Sequence, residues 1–177
     1  HAALVGVEAL AAMSYKGQVM IVMGDKVTRA DTVRRLIERY RAGKPDLLMT
    51  ALPKVGETSA GRVVLDENDA LLGLVETADL RQAGASGKPI CVGGREFAAA
   101  EIEEHSSTVN ASMYLYRFEV LREALRHISP SNAQGELYLT DTVAAIARHG
   151  RVDTMLVPDP HDLMAYNTPA ELLAIEE

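Results

Sequence analysis

The sequence has 177 residues, the size of one globular domain, and 47% of them are hydrophobic. With 24% charged residues and a mean hydropathy of −0.01, this composition excludes a disordered chain and predicts a soluble domain. The 25 acids outnumber the 18 lysines and arginines, for a net charge of −7. Because nucleic-acid binding depends on clustered cations, no nucleic-acid partner is expected. The longest uncharged stretch, residues 106–116, is far shorter than the ~20 apolar residues of a membrane span, so no membrane partner is expected.

The first residues indicate whether the domain is complete at its N-terminus, and the cysteine count indicates the cellular compartment. The chain starts at His1 without a methionine and runs into a segment in which Leu4, Val7 and Leu10 predict a helix. It has no features of a signal peptide or targeting presequence. We therefore expect a domain that is incomplete at its N-terminus. Cys91 is the only cysteine, which is typical of a reducing compartment and predicts a cytoplasmic protein.

The next segments alternate between strand and helix patterns. The apolar run at residues 19–23 has the length of a strand buried on both faces. An amphipathic pattern predicts a helix from Asp31 to a capping Gly43, and residues 46–52 predict a second buried strand. Strand, helix and strand in this order are typical of a right-handed parallel crossover.

The middle of the chain predicts a hairpin, a loop and a further strand. Residues 62–66 and 70–76 flank a turn-forming Glu-Asn-Asp tripeptide and predict a hairpin. The segment 77–104 is rich in glycine and shows little periodicity, so we expect an excursion from the sheet or a loop. Residues 107–116 predict a strand, and apolar positions from Phe118 onward predict the helix after it.

The C-terminal part continues this alternation. Thr140 is expected to cap a helix ending at Gly150, and residues 152–157 predict the last strand. A capping box at residues 168–171 predicts a final helix. The whole pattern predicts a single α/β domain over residues 1–177, with three α/β/α layers around a mostly parallel mixed sheet.

Several common chemistries are excluded by their motifs. The five histidines lack zinc-site spacing, and one cysteine cannot build a structural zinc site. Residues 84–89 superficially resemble a phosphate loop, but the first glycine and the metal-binding hydroxyl of that motif are missing. The sequence also has no Gly-x-Ser-x-Gly elbow for acyl chemistry.

Polar residues at the ends of predicted elements remain as candidates, because ligands of open α/β sheets bind at the carboxyl ends of strands. Asp25, released from its strand by Gly24, is a candidate Mg²⁺ ligand; alternatively it starts a turn or caps the next helix. Asn167 precedes the last helix cap, so its amide oxygen either points into the same cleft or bonds its own backbone.

Three further candidates each have both a ligand-binding and a purely structural interpretation. Asn110 lies in a strand of small residues, where its amide needs partners if buried, either sugar hydroxyls or neighbouring backbone. Glu76 at the end of the hairpin is either a ligand or an ordinary exposed acid. Gly61 permits a close approach of backbone to a ligand or a tight entry to the strand. The run NAQGELYLTD at residues 132–141 predicts a capped turn rich in hydrogen bonds.

These motifs, in this order, resemble the nucleotidyltransferase domain of bacterial N-acetylglucosamine-1-phosphate uridyltransferases. The matching segments are VMGD at 22–25, AGRV at 60–63, GLVE at 73–76, VN at 109–110, NAQGELYLTD at 132–141 and YNT at 166–168. The resemblance covers nearly the whole chain and implies a Rossmann-like nucleotide-diphospho-sugar transferase fold. That fold would be partial, because the opening strand and the Gly-rich loop of the family, with its basic residues for the triphosphate, have no counterpart.

The resemblance also implies a site. It implies Mg²⁺ ligands at Asp25 and Asn167. It implies substrate contacts at Gly24, Gly61, Glu76, Asn110 and Asn167. The basic catalytic residues are expected in the N-terminal part that these 177 residues lack, so the chain alone is expected to be inactive.

The implied reaction is Mg²⁺-dependent transfer of a uridylyl group from a nucleoside triphosphate to N-acetylglucosamine 1-phosphate, releasing pyrophosphate. The implied role is nucleotide-sugar and cell-wall biosynthesis, and a homo-oligomer is left open. The chain departs from the family at residues 77–79, where a lysine is usual, and at residues 165–167, where Gly-Val-Asn is usual. The alternative function is a non-catalytic, sugar-nucleotide-binding or regulatory relative.

Overall fold

The computed structural model of the chain describes residues 2–56, 58–165 and Leu173. Its elements in chain order are α1 (Ala2–Ala12), β1 (Gln18–Val22), β2 (Lys26–Thr28), α2 (Ala30–Gly43), β3 (Leu47–Pro53), β4 (Arg62–Leu65), β5 (Leu71–Val75), α3 (Thr77–Ser86), β6 (Ile90–Val92), β7 (Arg95–Phe97), α4 (Ala99–His105), β8 (Thr108–Arg117), α5 (Phe118–Ala124), α6 (Asp141–Ala147), β9 (Val152–Leu156), a 3-10 turn (Pro160–Asp162) and β10 (Leu163–Ala165). The expected α/β class and the strand–turn–strand hairpin are confirmed.

The main sheet has six strands arranged around β8. The order is β5-β4-β8-β3-β9, and β1 pairs with the second half of β8. Since β8 is antiparallel to β1, β3 and β4, and β3 is parallel to β9, four of the six strands run in one direction. The mixed sheet is confirmed, but the expected mostly parallel pairing is wrong: among the described strands of this sheet only β3 and β9 pair in parallel, because β8 lies between strands that run in one direction. β1 and β3 are parallel to each other, but β8 separates them.

Helices cover both faces of this sheet, which confirms the three-layer arrangement. Along β3, Leu47 and Met49 face a core that also contains residues of α1, α5 and α6. Leu48, on the opposite face, packs with Leu36 and Tyr40 of α2. This alternation follows from the two-residue period of a strand, which sends neighbouring side chains to opposite faces.

The segment 77–104, expected to be an excursion or a loop, is an excursion outside the main sheet that contains α3, the β6–β7 hairpin and most of α4. The loop alternative is wrong, because Gly87, Gly93 and Gly94 end or connect elements rather than prevent them. Gly87 (φ 68°) is the left-handed cap of α3. Gly93 (φ 59°) and Gly94 (φ 84°) form the two-residue turn between β6 and β7, a turn type that requires positive φ at both positions.

Other differences concern strand burial and helix ends. β1 is not buried on both faces: its central residues are half-buried, and Val22 is 42% exposed. The left-handed cap of α2 is Lys44 (φ 47°), one residue beyond Gly43. α5 and α6 end earlier than the patterns predict, at Ala124 and Ala147. The expected helix at residues 168–171 lies outside the described residues.

No helix within the described part of the chain has the length and apolar character that crossing a membrane requires.

Candidate active site

One cavity of about 930 Å³ brings together the polar segments singled out in the sequence, and we refer to it as the site cavity. Its walls come from the turn after β1, the segment before β4, the end of β5, the first half of β8 and the segment before α6. The predicted site residues that line it are Gly24, Asp25, Gly61, Glu76 and Asn110. Asn167 lies outside the described residues, so its expected proximity to Asp25 stays a prediction.

Gly61 lies against two other predicted site residues. The backbone N–H of Asn110 donates to the Gly61 carbonyl at 2.8 Å. A Cβ added at Gly61 would lie 3.2 Å from Glu76 Oε2 and 3.2 Å from the Val75 carbonyl. Because such contacts are tighter than ordinary van der Waals packing, glycine at this position allows the backbone to approach the Glu76 carboxylate closely.

Glu76 is held by the segment that precedes α6. Thr140 Oγ1 donates a hydrogen bond to Glu76 Oε1 at 2.9 Å. Thr140 does occupy the N-cap position of α6, as expected, but its side chain makes no capping hydrogen bond. Burial raises the pKa of Glu76 and the charge of Asp79 adds to the rise, while the Thr140 bond opposes it. Glu76 is half-buried and lines the site cavity, so it is not the ordinary exposed acid of the alternative interpretation.

The charges of two more acids, Asp79 and Asp141, act near Glu76, and Asp79 also bonds the NAQGELYLTD run. Asp79 Oδ1 accepts a hydrogen bond from the Ala133 N–H at 2.6 Å, which ties the run to α3. Burial, together with the charges of Asp79 and Glu76, raises the pKa of Asp141 to about 6. Within the run, Asn132 Oδ1 accepts from the backbone N–H groups of Gln134 and Glu136, so the expected capped turn is confirmed.

Asn110 is only 6% exposed and is already bonded within the protein. Its Nδ2 donates to the Tyr114 hydroxyl at 2.7 Å, and its Oδ1 accepts from that hydroxyl at 2.9 Å and from the Ser112 N–H at 3.0 Å. Among the described residues, these bonds use one of the two amide hydrogens, so the other is available to a ligand. Ser112 (φ 60°) interrupts the regular strand here, next to the register shift between β3 and β8.

Asp25 lies exposed in the turn between β1 and β2. It does not cap α2, because that helix begins at Ala30 and Arg29 is the residue before it. The neighbouring Lys26 is half-buried and also lines the site cavity. Burial lowers the pKa of Lys26, and the charge of Asp25 opposes this change. Motif matching missed Lys26 because the recognisable segment ended at Asp25.

Arg62 is a second residue that the motifs did not assign. It is 4% exposed and forms a two-pronged ion pair with Glu103 of α4, with Nε–Oε2 at 2.8 Å and Nη2–Oε1 at 2.9 Å. The same guanidinium donates to the backbone carbonyls of Thr58 and Ala60. Arg62 therefore connects α4 to the segment that ends in Gly61. The sequence signal that could have identified Arg62 is its position as a charged residue at the start of the apolar strand β4.

No protein-family model matches the sequence. Over 174 residues the chain is 30% identical to the bifunctional protein GlmU of Mycolicibacterium gilvum (strain PYR-GCK), covering 97% of this chain and 31% of that protein. It is 28% identical over 179 residues to the bifunctional protein GlmU of Desulfotalea psychrophila (strain LSv54 / DSM 12343), covering 100% of this chain and 47% of that protein. The chain thus spans less than half the length of either relative, and the resemblance found in its motifs is confirmed.

Solved structures share the fold at low identity. A Bacillus anthracis protein with a provisional assignment as a glucose-1-phosphate thymidylyltransferase superposes with a TM-score of 0.63 at 14% identity, covering 97% of this chain and 58% of that one. The nucleoside-diphosphate-sugar pyrophosphorylase of Vibrio cholerae RC9 has a TM-score of 0.57 at 14% identity, with coverages of 98% and 62%. These likenesses confirm the expected nucleotidyltransferase-type fold.

Proposed function

We propose that this chain is a nucleotidyltransferase of the sugar-nucleotide pyrophosphorylase class. Nearly all of its own length resembles part of the bifunctional protein GlmU. The proposed reaction transfers a uridylyl group from UTP to N-acetylglucosamine 1-phosphate. An oxygen of the sugar phosphate attacks the α-phosphorus of UTP, the bond to the β-phosphate breaks, and pyrophosphate leaves. With this reaction we propose a cytoplasmic location and a role in cell-wall biogenesis.

The convergence of Asp25, Gly61, Glu76 and Asn110 on one cavity carries this proposal. These residues come from four separate segments of the chain, yet the last three are in direct contact around Gly61. The cavity volume of about 930 Å³ lies within the usual range of ligand pockets, about 300–1,000 Å³. Phosphoryl transfer depends on positioning and charge neutralisation, so the proposed reaction requires no protein nucleophile.

The described side chains supply positioning groups for the sugar. Glu76 Oε1 is bonded to Thr140 and faces that wall, whereas Oε2 lies beside Gly61 and is the oxygen we propose to accept from a sugar hydroxyl. Asn110 donates its remaining amide hydrogen to the same sugar. Its anchoring by Tyr114 and Ser112 holds the amide in one orientation before the ligand binds.

The donor chemistry fits a magnesium ion at Asp25. Among the residues that the structure describes, no three His, Cys, Asp or Glu side chains form a metal-binding group. Mg²⁺ is usually held by one or two carboxylates together with substrate phosphates, so a single exposed carboxylate is suitable. We propose Asp25 and Asn167 as its protein ligands. When bound there, the ion would neutralise charge on the phosphates.

The proposal is tested with the protein produced from its complete reading frame. Pyrophosphate release is measured with UTP, N-acetylglucosamine 1-phosphate and Mg²⁺, and again with dTTP and glucose 1-phosphate. Turnover with the first pair, at least tenfold above the second, is the expected result. Binding of UDP-N-acetylglucosamine without turnover would favour the non-catalytic relative, and absence of both binding and turnover would overturn the proposal.

A further inference from the structure

Lys26 is the one basic side chain among the described residues that line the site cavity. Two acids, Asp25 and Glu76, line the same cavity. A nucleotide sugar carries a diphosphate with negative charge on each phosphate, and such charge must be met by cations when water is excluded. Lys26, beside the first acid, is therefore the cationic side chain among these lining residues that can contact a phosphate directly.

Strand pairing places the Lys26 side chain on the cavity wall. β2 and β10 form a two-stranded antiparallel sheet in which Lys26 lies opposite Ala165 and Thr28 lies opposite Leu163. Directly opposed residues of such a pair share one face of the sheet. Ala165 and Leu163 both line the site cavity, whereas Met164, on the alternate face, does not. Lys26 thus belongs to the face that forms the wall.

The Lys26 ammonium has no fixed bonding partner among the described residues. It forms no ion pair and no hydrogen bond there, and the charge that acts on it is that of Asp25, its neighbour in sequence. Its side chain is half-buried rather than extended into solvent. A half-buried cation without a fixed partner, on the wall of a cavity, is a suitable donor for an anionic ligand.

We propose that Lys26 binds the phosphate groups of the nucleotide sugar and thereby forms the phosphate end of the site, with Glu76 and Asn110 at the sugar end. This assignment rests on the proposed function. Lys26 acts as a point charge with rotatable donors, so arginine should replace it in part and an apolar residue of similar length should not.

The test compares Lys26→Met and Lys26→Arg with the control Lys16→Met, whose side chain is exposed and does not line the cavity. Calorimetry measures the Kd of UDP-N-acetylglucosamine with Mg²⁺ at two salt concentrations. Loss of a charge-assisted hydrogen bond predicts about 10- to 100-fold weaker binding for Lys26→Met. The Kd of this variant should also change less between the two salt concentrations than the Kd of the wild type. Lys26→Arg should stay within about fivefold of the wild type, and Lys16→Met should be unchanged. Wild-type affinity in folded Lys26→Met would overturn the assignment.

A second measurement needs no variant. Lysines of the wild-type protein are labelled with an amine-reactive reagent, and mass spectrometry compares Lys26 with Lys16 in the presence of UDP-N-acetylglucosamine or inorganic pyrophosphate. Both ligands should protect Lys26 and leave Lys16 reactive. Equal labelling of Lys26 with and without ligand would overturn the phosphate assignment. Protection by pyrophosphate, in a protein that binds no nucleotide sugar, would instead overturn the proposed function and retain an anion site at Lys26.

Discussion

Contacts of a few ångströms around Gly61 determine the shape of the proposed sugar end of the site. Gly61→Ala would place a methyl group 3.2 Å from Glu76 Oε2 and 3.2 Å from the Val75 carbonyl. The carboxylate is the movable neighbour, so we expect it to shift away from the sugar. Losing its hydrogen bond predicts about 5- to 150-fold weaker binding of UDP-N-acetylglucosamine, measured by calorimetry.

Gly84→Ala is the matched control, because a Cβ there meets nothing within 4 Å and alanine is favourable in a helix. Its affinity should equal that of the wild type. If both variants bind equally well, the contact between Gly61 and Glu76 does not shape the site.

The raised pKa of Asp141 predicts a pH-dependent stability. At about 6 it exceeds the ordinary value of 3.8, so between these pH values the folded protein holds a proton that the unfolded chain has released. The associated stability is therefore lost as the pH rises through this window. Asp141→Asn, which stays neutral, should gain free energy of unfolding relative to the wild type between pH 4 and pH 8. Because Asp141 is half-exposed at a helix N-terminus, we expect a gain of about 1 kcal/mol or less.

Urea unfolding at both pH values measures this difference. Asp69→Asn, at an exposed position in the hairpin turn, is the control. A constant effect of Asp141→Asn across the pH range would show that its ionisation is not coupled to folding.

The sequence identified residues that line the site cavity but not their bonding partners. Asp25, Gly61, Glu76 and Asn110 stood out by their place in the predicted elements, and each then matched a short segment of a known pattern. Thr140 was predicted only as a helix cap, since its bond to Glu76 joins residues 64 positions apart. Lys26 had no pattern to mark it. Its placement on the cavity wall depends on the pairing of β2 with β10, which lies beyond local sequence.

At the scale of elements, α4 supports the segment that carries Gly61. Glu103 of α4 is the ion-pair partner of the buried Arg62, whose guanidinium also binds the carbonyls of Thr58 and Ala60. Glu103→Gln would leave the buried Arg62 charge without its counter-charge. Because Glu103 itself is half-exposed, we expect a loss of about 1–3 kcal/mol in the free energy of unfolding.

Chemical denaturation measures the loss, with Glu104→Gln, an exposed neighbour on the same helix, as the control. Binding of UDP-N-acetylglucosamine should weaken in Glu103→Gln even under conditions where that variant is fully folded. Unchanged stability together with unchanged affinity would mean that the ion pair neither stabilises α4 nor positions the segment.

The segment 77–104 shows why some helices and strands were not predicted from the sequence. α3 buries only Leu80 and Ala83, so its apolar periodicity is weak. β6 and β7 have three residues each, too few for alternation to be read. Longer and better-buried elements, such as α2 and β8, were predicted nearly to their ends. Burial against other parts of the chain, rather than local propensity, holds the short elements in place.

At the scale of the whole molecule, β8 determines the topology in a way that no local pattern indicates. Its first residues pair with β4 and β3, and its second half pairs with β1 and β3. The class and layers followed from the alternation of elements, but the partner of each strand depends on contacts between residues far apart in sequence. The same exchange of partners along β8 places Asn110 beside Gly61.

The site cavity joins segments from the turn after β1 to the segment before α6, so a ligand in it should stabilise the whole fold. At a ligand concentration of 100 times Kd the gain is about 2.7 kcal/mol, or about 5–10 °C in Tm for a domain of this size. If Asp25 holds Mg²⁺, UDP-N-acetylglucosamine should give this rise with Mg²⁺ and a much smaller one with EDTA. Asp25→Ala should show the small rise under both conditions, whereas the control Glu8→Ala, an exposed acid of α1, should behave as wild type. If the increase in Tm is the same with EDTA in the wild type, or if the full increase persists in Asp25→Ala, Asp25 is excluded as a metal ligand.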